Sequence, residues 1–244
     1  MTNSAANTAA YTLNKNLSIN LLNAAHAIQK IIVIDDLLEN PQDLIEFAAQ
    51  HSFKPAPGQS VGKGYPGIQL VPPPAYSQTI THFIKPLIQK EFGIAEAVEM
   101  RKSECAISLM TVKPEDLSPA QCVPHFDTSN INQFAIILYL CDQNHGGTAF
   151  YRHNATGFEF ITPGTSDQYF DILFAEQKMR PPARRYFTDS DQQFTKLGVL
   201  PAKFNRMVIY RSCTLHSPYL TNLEHSINAD PRTGRLTVNT FVAF

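Results

Sequence analysis

Apolar and polar positions divide the chain into two textures. Ile31-Ile32-Val33-Ile34 is a β-branched run that stops at Asp35-Asp36 and predicts a short strand. A helix follows, with Asn40 at its N-cap, Pro41 in its first position and Asp43 in its first turn. Leu44, Ile45, Phe47 and Ala48 give that helix one apolar face. A second helical pattern runs from Tyr76 to Phe92, and Pro86 within it predicts a kink or a break. Between the two, residues 54–75 are rich in Pro and Gly and read as a loop. Residues 1–16 are small and polar and read as a flexible tail; 18–29 read as a short helix or an irregular lead-in.

After Gly93 the period shortens. Cys105 to Val112 alternates, and Phe134 to Leu140 is a nearly continuous apolar run. A Gly-rich connection then leads to Thr148–Arg152, which predicts a hairpin. Met207–Arg211 and Leu236–Phe244 complete the strands, the last expected to be paired and buried. Residues 164–200 show no strong period and read as an insertion, with a lid as one use for it. The expectation is one domain over 1–244, mainly β with flanking helices: a lead-in over 17–100 packed on a barrel core over 101–244. No βαβ alternation, GxGxxG or GxxxxGK[ST] supports a nucleotide-binding fold.

Composition narrows this further. Twenty Lys+Arg against 21 Asp+Glu leave a net charge of -1, which argues against a dense basic face for nucleic acid. Cys105, Cys122, Cys141 and Cys213 form no CxxC pair and read as reduced, mostly buried thiols. With no signal peptide and no membrane-length apolar run, a cytoplasmic protein is expected, without a membrane partner.

Three places carry candidate chemistry. In His125-Phe126-Asp127, positions i and i+2 share a face of an extended segment, so an imidazole and a carboxylate can meet on one metal ion. A solvated surface pair is the plain alternative. His216 follows the Met207–Arg211 strand and precedes Ser217-Pro218, read as a turn; a lone His there is more often a packed, hydrogen-bonded ring. Arg235 opens the last strand, where a buried position would demand an anionic partner such as a dicarboxylate. Two His and one carboxylate make the facial set that leaves positions open on ferrous iron.

The sequence resembles the 2-oxoglutarate- and Fe(II)-dependent dioxygenases, closest to their prolyl-hydroxylase-like branch. The resemblance rests on His125-x-Asp127, the Phe134–Leu140 run with Gly146-Gly147-Thr148-Ala149-Phe150, and Asn205–Tyr210 leading to His216. It closes on Arg235-Leu236-Thr237 and covers about residues 31–244. It implies a double-stranded β-helix, a jelly roll related to cupins. It also implies Fe(II) on His125, Asp127 and His216, and 2-oxoglutarate with its far carboxylate on Arg235. Thr237 and Tyr139 would add hydroxyls there. The implied reaction hydroxylates an amino acid, a peptide or a related small molecule.

Rivals accompany these assignments. His225 competes with His216, and Arg232 with Arg235, which stands far from His216 for many members of the family. Arg232 lies in a turn-like stretch and His225 in a loop-like one, so Arg235 and His216 are preferred. His145 and His153 flank the expected hairpin and raise a second metal site, against which stands ordinary solvation. Arg180, Arg184 and Arg185 read first as a solvated loop and second as a grip for an acidic substrate. Tyr65 and Gln69 are candidate contacts near a barrel mouth, and Phe126, Phe134, Phe150, Tyr151, Phe158 and Phe160 read as core. Two other classes compete with the oxygenase: a degenerate jelly roll that only binds, and a cupin-like metalloenzyme without 2-oxoglutarate.

Overall fold

The computed structural model describes residues 11–23, 30–58 and 64–244. The chain is mainly β. Eleven strands among the described residues form two antiparallel sheets. They are β1 (Ser18–Asn23), β2 (Lys30–Asp35), β3 (Lys54–Pro55), β4 (Gly67–Leu70), β5 (Arg101–Met110), β6 (Gln133–Tyr139), β7 (Gly147–His153), β8 (Phe194–Pro201), β9 (Arg206–Arg211), β10 (His216–Tyr219) and β11 (Leu236–Ala243). The large sheet has the order β1-β2-β9-β6-β11-β5-β4-β3, and the small one β10-β7-β8. Among the described residues neither closes on itself by strand pairing.

Four layers result. On the outer face of the large sheet lie helices α1 (Gln42–Gln50) and α2 (Pro74–Phe92). Leu44, Ile80, Ile84 and Ile88 from the helices meet Ile32, Ile136, Ile209 and Val238 from the sheet in one apolar cluster. The alternate residues of the same strands, Val33, Ala135, Tyr139, Val208 and Tyr210, face Phe150 and Leu200 of the small sheet. Helix α3 (Ser166–Met179) covers the far side of that sheet, where Tyr169 and Leu173 meet Tyr151 and Phe194.

Several sequence expectations are corrected. Of the expected helix or lead-in over 18–29, residues 18–23 form strand β1, paired with β2 from Ser18 opposite Asp35 to Asn23 opposite Lys30, and 24–29 lie outside the described residues. The tail expectation for 1–16 lies partly outside the described residues; Tyr11 is buried against Tyr76, and Leu13 bridges to Leu38. Asn40 offers its carbonyl to Asp43 N–H rather than a side-chain cap, and Pro41 stands at the N-cap. Helix α2 runs through Pro86 without a break. The 54–75 loop carries the short strands β3 and β4, which extend the large sheet beyond β5.

The expected hairpin does not form. Both edges of β6 are taken, by β9 and by β11, so β7 has no ladder to join and crosses to the small sheet. Gly146 makes the crossing, with φ 89 and no room for a Cβ against the Tyr219 carbonyl. The 164–200 stretch holds helix α3 and strand β8 rather than a structureless insertion. Ser217-Pro218 is no turn but the body of edge strand β10, where a proline is tolerated. Phe160 is 36% exposed rather than core.

Candidate metal centre

A 3-10 turn at Pro119–Cys122 delivers the chain into an extended segment that lies along the β9–β10 connection. His125 N–H donates to the His216 carbonyl and His216 N–H to the His125 carbonyl, both at 2.8 Å. Asp127 N–H donates to the Ser212 carbonyl, also at 2.8 Å. Extended backbone then sets His125 and Asp127 on one side and Phe126 on the other. The Phe126 ring packs on Tyr169 and Phe170 of α3, at 5.8 and 5.6 Å between centroids.

His216 Nδ1 sits 2.9 Å from the Thr214 carbonyl, which can only accept. The proton is therefore on Nδ1, and Nε2 carries a free lone pair. That nitrogen lies 4.0 Å from Asp127 Oδ1, and His125 Nε2 lies 3.8 Å from the same oxygen. One ligand atom from each residue falls within 4.8 Å of the other two. Tyr210 stands edge-on to the His216 ring at 5.1 Å.

Side-chain exposure rises from 8% at His216 to 19% at Asp127 and 46% at His125, so the group opens to solvent on the His125 side. Burial depresses both imidazoles to about 4; the His216 ring opposes the proton on His125 as well, and Asp127 favours it. Burial pushes the Asp127 carboxyl up to about 6, against the pull of His125 and the Ser212 hydroxyl, with a small upward push from Glu104. Near pH 7 the set is two neutral imidazoles and a carboxylate whose charge is costly to keep. A divalent cation would relieve that cost, and N, N and O donors of this kind suit a first-row metal such as iron.

The other end of the same interior holds Arg235, 3% exposed, just ahead of β11. Its Nη2 donates to the Gly147 carbonyl at 2.9 Å, Nη1 reaches Met110 Sδ at 3.7 Å, and the guanidinium lies 5.8 Å from the Tyr139 ring centroid. Nε has no hydrogen-bond partner, nor do the buried Tyr65 hydroxyl and Thr237 Oγ1. No carboxylate among the described residues pairs with this cation. Burial, against the pull of Arg235, pushes Tyr65 up to about 12, which leaves it a neutral donor. The Tyr139 hydroxyl is engaged by Thr148 Oγ1 at 2.6 Å, so Tyr139 meets Arg235 with its ring. Gln69 donates to Ser108 Oγ at 3.1 Å, one strand from Thr237.

The rivals lie elsewhere. Arg232 is on the surface, with Nη2 2.7 Å from Glu46 Oε2. His225 is exposed and faces His145, 5.3 Å away between rings. His153 is buried and bonded to Thr156 and Glu176, at 2.9 Å each. Among the described residues, His125, Asp127 and His216 are the only such converging set. Arg180 and Arg185 line a hollow of about 360 Å³ beside Val123 and Phe187, and Arg184 donates to the Leu117 carbonyl. Sequence reasoning missed Tyr210, on the β9 parity that faces the small sheet, and Ser212, which continues that parity just past the strand.

Residues 15–242 match the family described as "Family of unknown function (DUF6445)". The chain belongs to that family. No curated protein matches it. Among solved structures, this DUF6445 chain is similar to a novel N-substituted L-amino acid dioxygenase from Burkholderia ambifaria AMMD. The identity is 13% and the TM-score 0.36, over 87% of this chain and 80% of that one. It is also similar to EvdMO1, at 11% identity and TM-score 0.36, over 93% of the DUF6445 chain and 55% of the other. No helix among its described residues is long and apolar enough to cross a membrane.

Proposed function

We propose that the protein is an Fe(II)- and 2-oxoglutarate-dependent oxygenase of the hydroxylase type, its two facing sheets forming one jelly-roll domain of the double-stranded β-helix kind. The observation that carries this reading is the convergence of one ligand atom each from His125, Asp127 and His216 within 4.8 Å, with both Nε2 atoms within 4.0 Å of Asp127 Oδ1. Those three would hold Fe(II). The metal, when bound, supplies oxygen activation coupled to decarboxylation of the co-substrate.

Arg235 supports the choice of co-substrate. A buried guanidinium without a protein carboxylate is costly, and a dicarboxylate would supply the missing partner. Arg235 and the hydroxyls of Thr237 and Tyr65 would hold the far carboxylate of 2-oxoglutarate. The Thr214 carbonyl holds His216 in one tautomer, and Tyr210 and Phe150 exclude water from its flank. The prime substrate is read as an amino acid, a peptide or a related small molecule. The reading places the protein in the cytoplasm, with no nucleic acid or membrane as partner.

Anaerobic visible absorption with Fe(II) tests this. A metal-to-ligand band that requires 2-oxoglutarate, vanishes in His125→Ala and needs far more 2-oxoglutarate in Arg235→Met is expected. Wild-type protein that retains no metal would overturn the reading. Metal retention with no response to 2-oxoglutarate would leave a cupin-like metalloenzyme instead.

A further inference from the structure

The two sheets have four edges, and three of them are blunted by devices that keep a strand from pairing with a foreign one. Strand β3 is only two residues long, Lys54 and Pro55, both exposed. The free side of β10 takes the 125–127 segment through the His125–His216 rung, and Pro218 offers no N–H. Strand β8 carries Lys196, ends in Pro201 and bulges at Leu197, with Lys196 opposite Tyr151 and Gly198 opposite Phe150. Its Lys196 N–H is taken by Ser190 Oγ at 2.9 Å.

Strand β1 has none of these devices. Its six residues, Ser18-Ile19-Asn20-Leu21-Leu22-Asn23, include no charge, proline or glycine, and their register with β2 is unbroken. Among the described residues β1 pairs with β2 alone, so its other side presents a row of backbone N–H and C=O groups. Residues 18–22 are all exposed, Ile19 at 44%, Leu21 at 48% and Leu22 at 42%. Ile19 and Leu21 lie opposite Ile34 and Ile32 and so stand on the helix side of the sheet. Leu22, opposite Ile31, stands on the inner side.

We propose that β1 is a docking edge for β1 of a second copy of this chain, the two strands pairing antiparallel about a two-fold axis at Asn20. An axis normal to the sheet keeps each face on its own side, so each residue meets one of its own parity. Centred on Asn20, it sets Ile19 opposite Leu21 of the second copy and Leu21 opposite that copy's Ile19, two apolar pairs on the helix side. Shifted to Leu21, it would set Leu22 against Asn20 and Ile19 against Asn23. A strand without charges brings no like charges together when it pairs with itself. The closed two-fold uses up the unblunted edge of each chain, so assembly stops at two copies. A six-residue edge is about 20 Å long and a sheet about 10 Å deep, so the contact is on the order of 500 Å² over both copies, below the roughly 1,200 Å² of stable interfaces. The dimer is therefore reversible, with a dissociation constant on the order of 10–100 μM. Both small sheets, and both His125–Asp127–His216 groups, lie on the same side of the joined sheet.

Sedimentation equilibrium on the full chain, from about 1 to 500 μM, tests this. A reversible monomer–dimer equilibrium is expected. Leu21→Lys puts two like charges diagonally across the axis and should raise the dissociation constant about tenfold. Adding Ile19→Glu to that variant sets opposite charges face to face in this register alone and should restore association. Both positions are exposed, so far-UV circular dichroism should not change. Amide hydrogen exchange needs no variant: protection of the β1 amides in wild type should rise with protein concentration. A monomer at every concentration, a dimer indifferent to Leu21→Lys, no recovery in the double variant, or β1 exchange that ignores dimer formation overturns the proposal.

Discussion

The two faces of the large sheet are made by the same strands and have opposite characters. The outward parity, Ile32, Phe134, Ile136, Leu138, Met207, Ile209 and Val238, is aliphatic or aromatic and sealed under α1 and α2. The inward parity holds Tyr139, Tyr210, Ser108 and Thr237, with Arg235 just before the last strand. Buried polar atoms without partners include those of Tyr65, Tyr210, Ser212, Arg235 and Thr237 inside, against Tyr76 on the helix side and His145, Thr214 and Ser226 in the connections. Burying unpaired polar groups opposes folding, so a chain that tolerates them on one face needs a saturated core on the other. A repeat of two residues lets one strand serve both ends.

The comparison can be broken from either face. The largest effect is expected from His216→Ala, which removes one of the three proposed ligands. Metal affinity should fall on the order of 100- to 1000-fold, read as metal content after dialysis, with far-UV circular dichroism unchanged. Next comes Ile209→Ala on the sealed face. Chemical denaturation should show a loss of about 2–5 kcal/mol while the folded variant keeps its metal affinity. A large loss of metal there would show that the faces are not separable.

Asp127→Asn should act in the opposite sense on the metal-free protein. The carboxyl titrates at about 6 when folded and near 3.8 when unfolded, so between these values the folded state binds more proton. Its contribution is favourable in acid and is lost as pH rises through about 6. At pH 8 the asparagine variant should be more stable than wild type by on the order of 1–3 kcal/mol, with metal binding abolished. The gap between their unfolding midpoints should widen from pH 4 to 6.5 and level off above. The smallest effect is expected from Arg232→Ala. That exposed pair with Glu46 is screened by water, so stability, and the 2-oxoglutarate binding proposed for Arg235, should both match wild type.

Much of this was legible from residue order alone. The His125-x-Asp127 spacing and the buried-strand character of Phe134–Leu140 and Met207–Arg211 point to the groups that the structure brings together. Other parts were hidden for physical reasons. Helix α3 exposes Phe170, Phe174 and Met179 on its solvent side, so apolar residues occupy both faces and its period blurs. The step from β6 to β7 has the composition of a tight turn, and only the occupancy of β6 by β9 and β11 rules the hairpin out. The pairing of Ser18–Asn23 depends on β2 offering a free edge, which is not a local property.

The reciprocal hydrogen bonds between His125 and His216 also bear on how such a protein can change. Their separation is set by a ladder rung rather than by the chain between them. Of residues 154–193, which leave and return through β7 and β8, those away from the Glu159–Leu215 and Ile161–Cys213 hydrogen bonds and from the α3 contacts of Phe126 can lengthen, shorten or exchange sequence without altering that rung. Insertions there can reshape the surroundings of the site while its innermost geometry is inherited unchanged.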